Sequence, residues 1–362
     1  MRIAVLGGGN GSFAAAADMA LAGHETRLWR RDKQGVADHN AAGKKIVVKD
    51  FQGQREAVLS LVTNDIAEAV KDAELILCPA PAHAQADIAK TLAPHITDGQ
   101  VIYLPPGTFG TMLFAQAMKA AGNNAKAAFA ETGTLPWLTR KHGPFEVAVT
   151  VRAKRLPTGV FPLIRKDHAL AVIDKAFPGV IEDCGDALSG ALMNAGGIIH
   201  PPLITMNAGP LEHFDRWDIH KEGTQPSIRR VTTALDAERM AVREALGYGA
   251  PHFPLADHYA KEGDEWMYGR GSHDKLTDSG DWREHIVLTE HRYMLEDTRM
   301  GLSFLTSVGE LAGVPTPLAR AFLAIGGAVT GEDFMQTGRT LKTMGLGGLD
   351  KAGLQQLLRD GF

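Results

Sequence analysis

A glycine-rich segment near the start of the sequence has the residue types and spacing of a dinucleotide site. Gly7, Gly9 and Ser12 follow a strand-like run, Arg2–Leu6, and open an alanine-rich helical pattern, Ser12–Ala22. The first glycine permits a tight turn, the second lets the backbone approach a pyrophosphate, and the helix N-terminus supplies N–H donors. Serine replaces the usual third glycine or alanine and is small enough for close packing. We also assign to this site Asn10, Gly11 and Pro79. A glycine turn without a ligand is the alternative.

The next strand ends in two basic residues. The run Glu25–Trp29 is followed by Arg30, Arg31 and Asp32. An acidic residue at position 30 would bind the ribose hydroxyls and repel a 2′-phosphate, whereas arginines there attract that phosphate. The pattern favours NADP over NAD as the cofactor. The alternative is an exposed basic strand end, with Asp32, two positions further along, as the acceptor for the ribose hydroxyls.

A nicotinamide enzyme usually moves a proton as well as a hydride, and histidine most often does so near neutral pH. Among the 14 histidines, His200 is singled out by its surroundings. It ends an apolar helical pattern, Ala187–Ile199, directly before the proline pair 201–202. A two-domain dehydrogenase forms its cleft at such a junction, so His200 is a candidate acid–base residue. A helix-terminal histidine favoured by the helix dipole is an equal alternative.

Asp297 is the candidate partner of His200. It lies at the end of another helical pattern, Ile286–Asp297. A carboxylate beside His200 would orient the imidazole ring and raise its pKa. A solvated acidic turn is the alternative.

The elements that must position these residues change in character along the chain. In the first half, short apolar runs alternate with helical patterns, which is typical of a parallel, doubly wound sheet. The predicted strands are Arg2–Leu6, Glu25–Trp29, Leu75–Cys78, Val101–Leu104 and Ala127–Glu131, with a hairpin, Ile46–Val48 and Val58–Val62, inserted around Gly53. The predicted helices are Ser12–Ala22, Ala84–Leu92 and Met112–Ala121.

Strand patterns fade after about residue 180, and apolar residues take helical spacing. The predicted helices are Ala187–Ile199, Ile228–Leu246, Ile286–Asp297, Phe304–Ala312 and Leu318–Val329, and the glycine-rich stretch 263–280 is predicted to be a surface loop. We therefore predict an α/β protein with two domains. Residues 1–184 form an N-terminal Rossmann doubly wound domain, and residues 185–362 form a mostly α-helical C-terminal domain.

The composition argues against several other classes of protein. A net charge of −4 gives no pull toward nucleic acid or an anionic membrane. No apolar stretch approaches the roughly 18 residues that span a bilayer. The only cysteines, Cys78 and Cys184, cannot form a disulfide framework, and no Cys/His cluster indicates a metal site. We expect a cytoplasmic protein. An apolar face of the helical domain would suit a homodimer or the domain's own core.

Six segments, spread over nearly the whole chain, carry a resemblance to a known family. They are Gly7–Ser12, Glu131–Arg140, Asn194–Pro202, Asp236–Arg239, Arg292–Asp297 and Gly309–Pro317. In these segments the sequence resembles the octopine/nopaline-type opine dehydrogenases. The His-Pro segment around His200 and the Glu-Asp segment that ends at Asp297 are far more specific than the glycine loop.

The resemblance implies an activity and the residues that carry it. The activity is the NAD(P)H-dependent condensation of an amino acid with a 2-oxo acid to a secondary amine dicarboxylate, an opine, and the reverse oxidation. His200 would be the proton donor and acceptor, and Asp297 the carboxylate paired with it. Arg292 and Arg140 match basic positions, and one of them would bind a substrate carboxylate; a structural ion pair is the alternative for each. The sequence departs from the family at Arg30, where NAD-using members are often acidic.

Two other functions remain open. Ketopantoate reductases and glycerol-3-phosphate dehydrogenases also join a Rossmann domain to a helical domain, but they use a lysine near the junction. The pattern Ala187–Ile199 contains no lysine, so Lys221 or Lys261 would have to serve. A non-catalytic protein that senses NADP(H) is the second alternative, and the presence of His200 argues against it.

Overall fold

The computed structural model describes residues 1–362, which fold into two compact units. One unit is Met1–Ala191 together with Leu358–Phe362, and the other is Leu192–Leu357. The first unit thus includes a short helix, Ala187–Ala191, that the sequence pattern placed in the second domain. The predicted functional boundary between residues 184 and 185 stays a prediction.

An eight-stranded sheet forms the base of the first unit. Numbered in chain order, its strands are β1 (Arg2–Leu6), β2 (Glu25–Trp29), β5 (Leu61–Thr63), β6 (Leu75–Leu77), β7 (Val101–Leu104), β8 (Ala128–Thr132), β11 (Leu156–Phe161) and β12 (Ile181–Asp186). The spatial order is β12-β11-β8-β7-β6-β1-β2-β5. The six strands from β5 to β8 are parallel, whereas β11 runs antiparallel to β8. The parallel part has the Rossmann order, which confirms the predicted fold class.

A second, four-stranded sheet belongs to the same unit. Its strands are β3 (Lys45–Asp50), β4 (Gly53–Val58), β9 (Trp137–Gly143) and β10 (Glu146–Arg152), in the order β4-β3-β10-β9. The predicted hairpin around Gly53 is confirmed, but its predicted second strand, Val58–Val62, is wrong. Val58 ends β4 of the second sheet, whereas Leu61 begins β5 of the first sheet. The change of sheet occurs at Ser60, whose N–H donates to the Thr26 carbonyl oxygen next to the first sheet.

The helices of the first unit cover these sheets. They are α1 (Asn10–Leu21), α2 (Lys33–Ala41), α3 (Ile66–Val70), α4 (Ala82–Leu92), α5 (Gly110–Ala120), α6 (Lys166–Ala176) and α7 (Ala187–Ala191). Helix α1 packs against strands of both sheets, so eight of its 12 residues are buried. Its alanines permit this because small side chains let a helix approach closely on two sides.

The second unit is mostly helical, as predicted. Its helices are α8 (Gly196–Met206), α9 (Ala208–His213), α10 (Pro226–Ala245), α11 (Ala256–Tyr259), α12 (Ser272–Ser279), α13 (Ser303–Ala312), α14 (Pro317–Thr330), α15 (Phe334–Thr337) and α16 (Lys351–Asp360), the last of which ends in residues of the first unit. A π-helix, Tyr293–Leu302, runs directly into α13. Two short strands, β13 (Trp217–Asp218) and β14 (Arg283–Glu284), pair antiparallel. No helix is both long and apolar enough to cross a membrane.

Three predictions for this half of the chain need correction. The predicted helix Ala187–Ile199 is two helices, since the Asn194 side chain accepts a hydrogen bond from the Gly196 N–H and starts α8 anew. His200 therefore lies inside α8, followed by two prolines within the helix, and is not at a helix end. The predicted helix Ile286–Asp297 begins only at Tyr293 and continues to Leu302. The predicted loop 263–280 contains α12.

Candidate active site

His200 and Asp297 form a buried pair in the second unit. The His200 Nδ1 atom lies 2.7 Å from the Asp297 Oδ2 atom, and the two side chains are 12% and 7% exposed. A carboxylate that accepts a hydrogen bond from Nδ1 fixes the tautomer of a neutral imidazole and leaves Nε2 for another partner. The structure thus brings together the two residues that the sequence singled out as an acid–base pair.

Glycines allow the two supporting helices to approach closely. A Cβ atom on Gly196 of α8 would overlap the Asp297 carboxylate, and one on Gly301 would lie 3.2 Å from the Gly197 Cα atom. The pair therefore depends on the Gly-Gly sequence at the start of α8. The π-helix adds to this arrangement, since its wider turn places Tyr293 and Asp297 on the side that faces His200.

Tyr293 is a member of the site that sequence reasoning missed. Its ring stacks on the His200 imidazole, with centroids 3.7 Å apart and planes inclined by 13°. Its hydroxyl group lies 3.4 Å from Nε2 of a second buried histidine, His220. The His220 backbone N–H in turn donates to the Asp218 side chain. The only sequence signal was its spacing, four residues before Asp297, which does not show that the ring stacks on His200.

Burial shifts the protonation of the pair. Desolvation raises the pKa of the Asp297 carboxyl to about 7, and the Arg292 guanidinium opposes that shift. A carboxyl group with such a pKa beside an imidazole gives a pair that exchanges a proton near neutral pH. This is the range in which general acid–base catalysis is most efficient.

Arg292 lies at the start of the π-helix and presents its side chain to solvent. The guanidinium lies 5.4 Å from the centroid of the Tyr293 ring, and its Nη1 atom is 4.0 Å from Glu296 Oε2. The structure thus places one predicted substrate arginine beside the His200–Asp297 pair. Its long contact with Glu296 leaves the guanidinium able to bind another carboxylate.

Lys221 and Lys261 are the lysines that a different reductase would need. Lys221 is exposed and its ammonium group pairs with Asp278 at 3.6 Å. Lys261 is exposed as well. Neither ammonium group forms an ion pair or a hydrogen bond with His200 or Asp297.

The glycine segment of the first unit has the geometry expected for a dinucleotide loop. Gly7 has a φ of 122°, which disfavours any other residue, and the Ser12 hydroxyl donates to the Leu6 carbonyl oxygen at 3.3 Å. A Cβ atom on Gly9 would meet nothing within 4 Å, so packing within the chain does not require this glycine. A cofactor that approaches the backbone does require it, which fits a pyrophosphate at this loop.

Gly11 and Pro79 are brought together beside that loop. A Cβ atom on Gly11 would lie 3.3 Å from the Pro79 Cβ atom and 2.8 Å from Leu135. Asn10 begins α1, and its side chain accepts a hydrogen bond from the Lys141 backbone N–H at 3.0 Å. The predicted loop residues therefore lie next to one another, with two neighbours, Leu135 and Lys141, that sequence reasoning missed.

The two arginines after β2 have different surroundings. The Arg30 side chain passes beneath the glycine loop, where its Nη1 atom donates to the Gly35 carbonyl oxygen at 2.8 Å. Its Nη2 atom is 3.6 Å from a carboxylate oxygen of Asp32, whose side chain is exposed. Arg31 is exposed and forms no ion pair. Only Arg30 is held against the loop.

Arg140 and Glu131 lie in the remaining segment of the first unit that carries the family resemblance. Arg140 lies on β9, where it is half-buried and donates to the Thr139 carbonyl oxygen at 3.4 Å. Neighbouring side chains of a strand point to opposite faces, so Arg140 points away from the face that carries Lys141. Glu131 is fully buried at the end of β8 and accepts hydrogen bonds from the Phe109 N–H and the Thr111 hydroxyl.

A dinucleotide loop on a Rossmann sheet together with a buried His–Asp pair on a helical unit is typical of a nicotinamide-dependent oxidoreductase. Comparison with known proteins agrees. Residues 183–330 match the family model of the NAD/NADP octopine/nopaline dehydrogenase α-helical domain, and residues 2–126 match that of the NAD-dependent glycerol-3-phosphate dehydrogenase N-terminus. The second match is confined to the cofactor-binding unit.

Individual relatives extend over nearly the whole chain. An opine dehydrogenase of Arthrobacter sp. (strain 1C) is 30% identical over 357 residues, 97% of each chain. The structure of an octopine dehydrogenase in complex with NADH and agmatine superposes with a TM-score of 0.73 at 18% identity, covering 98% of each chain. A yersinopine dehydrogenase with bound NADP⁺ gives a TM-score of 0.68 at 14% identity, covering 99% of this chain and 98% of the other.

The chain therefore belongs to the octopine/nopaline-type opine dehydrogenase family. It is an opine dehydrogenase-like, NAD(P)H-dependent oxidoreductase that acts on a CH–NH bond. This confirms the family and the class of reaction that the resemblance implied.

Proposed function

We propose that the substrates are an amino acid and a small 2-oxo acid, and that His200 and Asp297 are the acid–base pair for their reductive condensation. The observation that carries the proposal is the buried contact of 2.7 Å between His200 Nδ1 and Asp297 Oδ2. In the reverse direction the same pair accepts the proton that the opine nitrogen releases.

The roles of the chain's own residues follow from this geometry. The nicotinamide, when bound, supplies or accepts the hydride. Asp297 holds Nδ1 of His200, so Nε2 is the atom that gives a proton to, or takes one from, the reacting nitrogen or carbonyl oxygen. Tyr293 stacks on the imidazole and restricts its rotation. A ring fixed in this way loses less entropy when the transition state forms.

Arg292 is our candidate for the substrate carboxylate. It lies near the pair, it is exposed, and its contact with Glu296 is long. A guanidinium group can bind a carboxylate with two parallel hydrogen bonds, which fixes orientation as well as position. Arg140 is the second candidate and contacts a carbonyl oxygen of its own strand.

We propose that the cofactor is NADP rather than NAD. The absence of an acidic side chain at position 30 and the position of Arg30 against the glycine loop support this preference. The residues proposed to bind the cofactor are Gly7, Gly9, Asn10, Gly11, Ser12, Arg30, Arg31 and Pro79.

A cytoplasmic location and a homodimer stay predictions. Neither Cys78 nor Cys184 forms a disulfide, which suits a reducing compartment. Light scattering on the purified chain would give the oligomeric state.

The test of the activity is a two-substrate assay. Purified protein is mixed with NADPH or NADH, a small 2-oxo acid such as pyruvate, and pools of amino acids, and absorbance at 340 nm is followed. We expect oxidation that requires both the oxo acid and an amino acid. Oxidation with the oxo acid alone would instead indicate a simple keto-acid reductase.

His200→Gln tests the assigned acid–base residue, since glutamine is similar in size but does not titrate. We expect kcat to fall by about 10² to 10⁴, with cofactor binding retained. His213→Gln, on the surface of the same unit, is the control and should remain active. Normal turnover by His200→Gln would show that the role is assigned wrongly.

A further inference from the structure

Two cations meet at the Phe13 ring in the first unit, beside the glycine loop. The Arg30 guanidinium lies 5.6 Å from the centroid of that ring, and the Lys141 ammonium lies 3.8 Å from it. Phe13 is completely buried on α1, one residue after Ser12. Arg30 follows β2, whereas Lys141 comes from β9 of the four-stranded sheet, so both sheets contribute to this cluster.

The positive charge of the cluster is poorly compensated. Arg30 Nε is buried and has no hydrogen-bond acceptor, and the nearest carboxylate, that of Asp32, lies 3.6 Å from Nη2. The Lys141 ammonium forms no ion pair. Burial and the charge of Arg30 lower the pKa of Lys141. His39, which stacks on Phe13, also has a lowered pKa, because of burial and, to a smaller extent, the charges of Arg30 and Lys141. An anion would relieve this repulsion.

The location of the cluster identifies the anion. In a Rossmann domain the adenosine ribose lies beside the end of the second strand, where Arg30 is found. A Cβ atom on Gly8 would lie 3.2 Å from Arg30 Nε, so the guanidinium is directly under the loop. The Lys141 backbone is joined to the first residue of α1 through Asn10. A ligand on this loop would therefore present its ribose to both cations.

We propose that Lys141 is a specificity-determining residue, which together with Arg30 binds the phosphomonoester on the adenosine ribose of NADPH. The inference rests on the proposed NADP preference and adds a residue from a different sheet. A phosphomonoester carries a charge of about −1.5 to −2 at pH 7, which matches two cations. The ribose hydroxyls of NADH offer no such charge.

The test measures binding of cofactor fragments, so it does not depend on opine synthesis. Adenosine 2′,5′-bisphosphate and adenosine 5′-monophosphate are titrated into the full chain by calorimetry, and they differ only in the 2′-phosphate. We expect the wild-type protein to bind the bisphosphate more tightly. Lys141→Met keeps an apolar stem on Phe13 and should weaken bisphosphate binding by about ten-fold, while binding of the monophosphate changes less than about two-fold.

Two further variants complete the test. Lys141→Arg retains the charge and should keep most of the preference. Lys49→Met removes a lysine of the same sheet that pairs with Glu146, and should change neither affinity. An equal loss of affinity for both ligands in Lys141→Met would overturn the proposal. Lys141 would then affect binding through the conformation of the glycine loop and not through contact with the 2′-phosphate. A wild-type protein with no preference for the bisphosphate would overturn the proposal as well. The proposed activity is tested separately, by the two-substrate assay.

Discussion

Asp297 is a carboxyl group held away from water beside a histidine. Burial raises its pKa to about 7, so the pair with His200 changes its proton content near neutral pH. In the proposed mechanism the pair holds the proton for the reductive direction, and we expect kcat to fall as the pH rises through about 7. In the oxidative direction the pair must accept a proton, and we expect kcat to rise over the same range. Initial rates in both directions would test this.

Asp297→Asn shows how much of the pH dependence of kcat comes from the carboxyl group and how much from the histidine. We expect a loss in kcat of about 10² or more, and a pH midpoint below that of the wild type, because an amide does not stabilise an imidazolium. Asp278→Asn is the control, since that carboxylate is 75% exposed on the same unit. A wild-type pH profile in Asp297→Asn would contradict the proposed coupling.

Single residues were predictable where a motif surrounds them. His200 and Asp297 were predicted as a pair and lie 2.7 Å apart. Tyr293 and Lys141 were not predicted, since stacking and cation clusters depend on which elements come together. No local pattern shows that a lysine on β9 reaches a phenylalanine on α1.

Helix α14 illustrates how one element stabilises another. The side chain of its N-cap residue, Thr316, does not bond to the first turn. Instead, the Glu238 carboxylate of α10 accepts hydrogen bonds from the Leu318 and Ala319 N–H groups, at 2.7 and 3.0 Å. A negative charge at a helix N-terminus also interacts favourably with the helix dipole. We expect Glu238→Ala to lower the free energy of unfolding by roughly 1–2 kcal/mol, measured by urea denaturation. Glu244→Ala, exposed on the same helix, should change it by less than about 0.5 kcal/mol.

The elements themselves were predictable where periodicity was long and regular. The sequence predicted α13 and α14 to within one residue at each end, because their apolar positions follow the helical period. The strand β10 was missed although Val147, Val149 and Val151 alternate with half-buried residues. The π-helix was not predictable, since its hydrogen bonding depends on packing against α8.

Ligand binding should be visible in the stability of the molecule as a whole. A cofactor that binds only the folded chain raises the free energy of unfolding by about 2.7 kcal/mol at one hundred times its Kd. Gly9→Ala should leave the free chain about as stable as the wild type, because nothing lies near the added methyl group. The methyl group would obstruct the cofactor, so NADPH should raise the melting temperature of this variant less than that of the wild type.

Gly7→Ala is the contrasting variant in that experiment. Its backbone φ of 122° is strained for alanine, so the free chain should already lose roughly 1–3 kcal/mol. Differential scanning fluorimetry with and without NADPH distinguishes the lower stability of the free chain in Gly7→Ala from the weaker cofactor binding in Gly9→Ala. Equal shifts in Gly9→Ala and the wild type would mean that the cofactor does not approach this glycine.

For the whole molecule, the alternation of strands and helices in the first half predicted the Rossmann sheet, and the helical spacing of apolar residues after about residue 180 predicted the helical second half. These local patterns do not predict which distant strands pair with each other. Strand β10 pairs in parallel with β3, about a hundred residues earlier, and the last five residues are part of the first unit. Such contacts are set by the packing of distant segments, for which a single sequence gives no local signal.

The flat stacking of Tyr293 on His200 has a spectroscopic consequence. Protons held 3–4 Å above an aromatic ring are shielded by its ring current, and the two centroids here are 3.7 Å apart. The carbon-bound imidazole protons of His200 should therefore resonate upfield of those of exposed histidines in a nuclear magnetic resonance spectrum. One signal among the 14 histidines would then report, during turnover or titration, on the residue that we propose as the acid–base group.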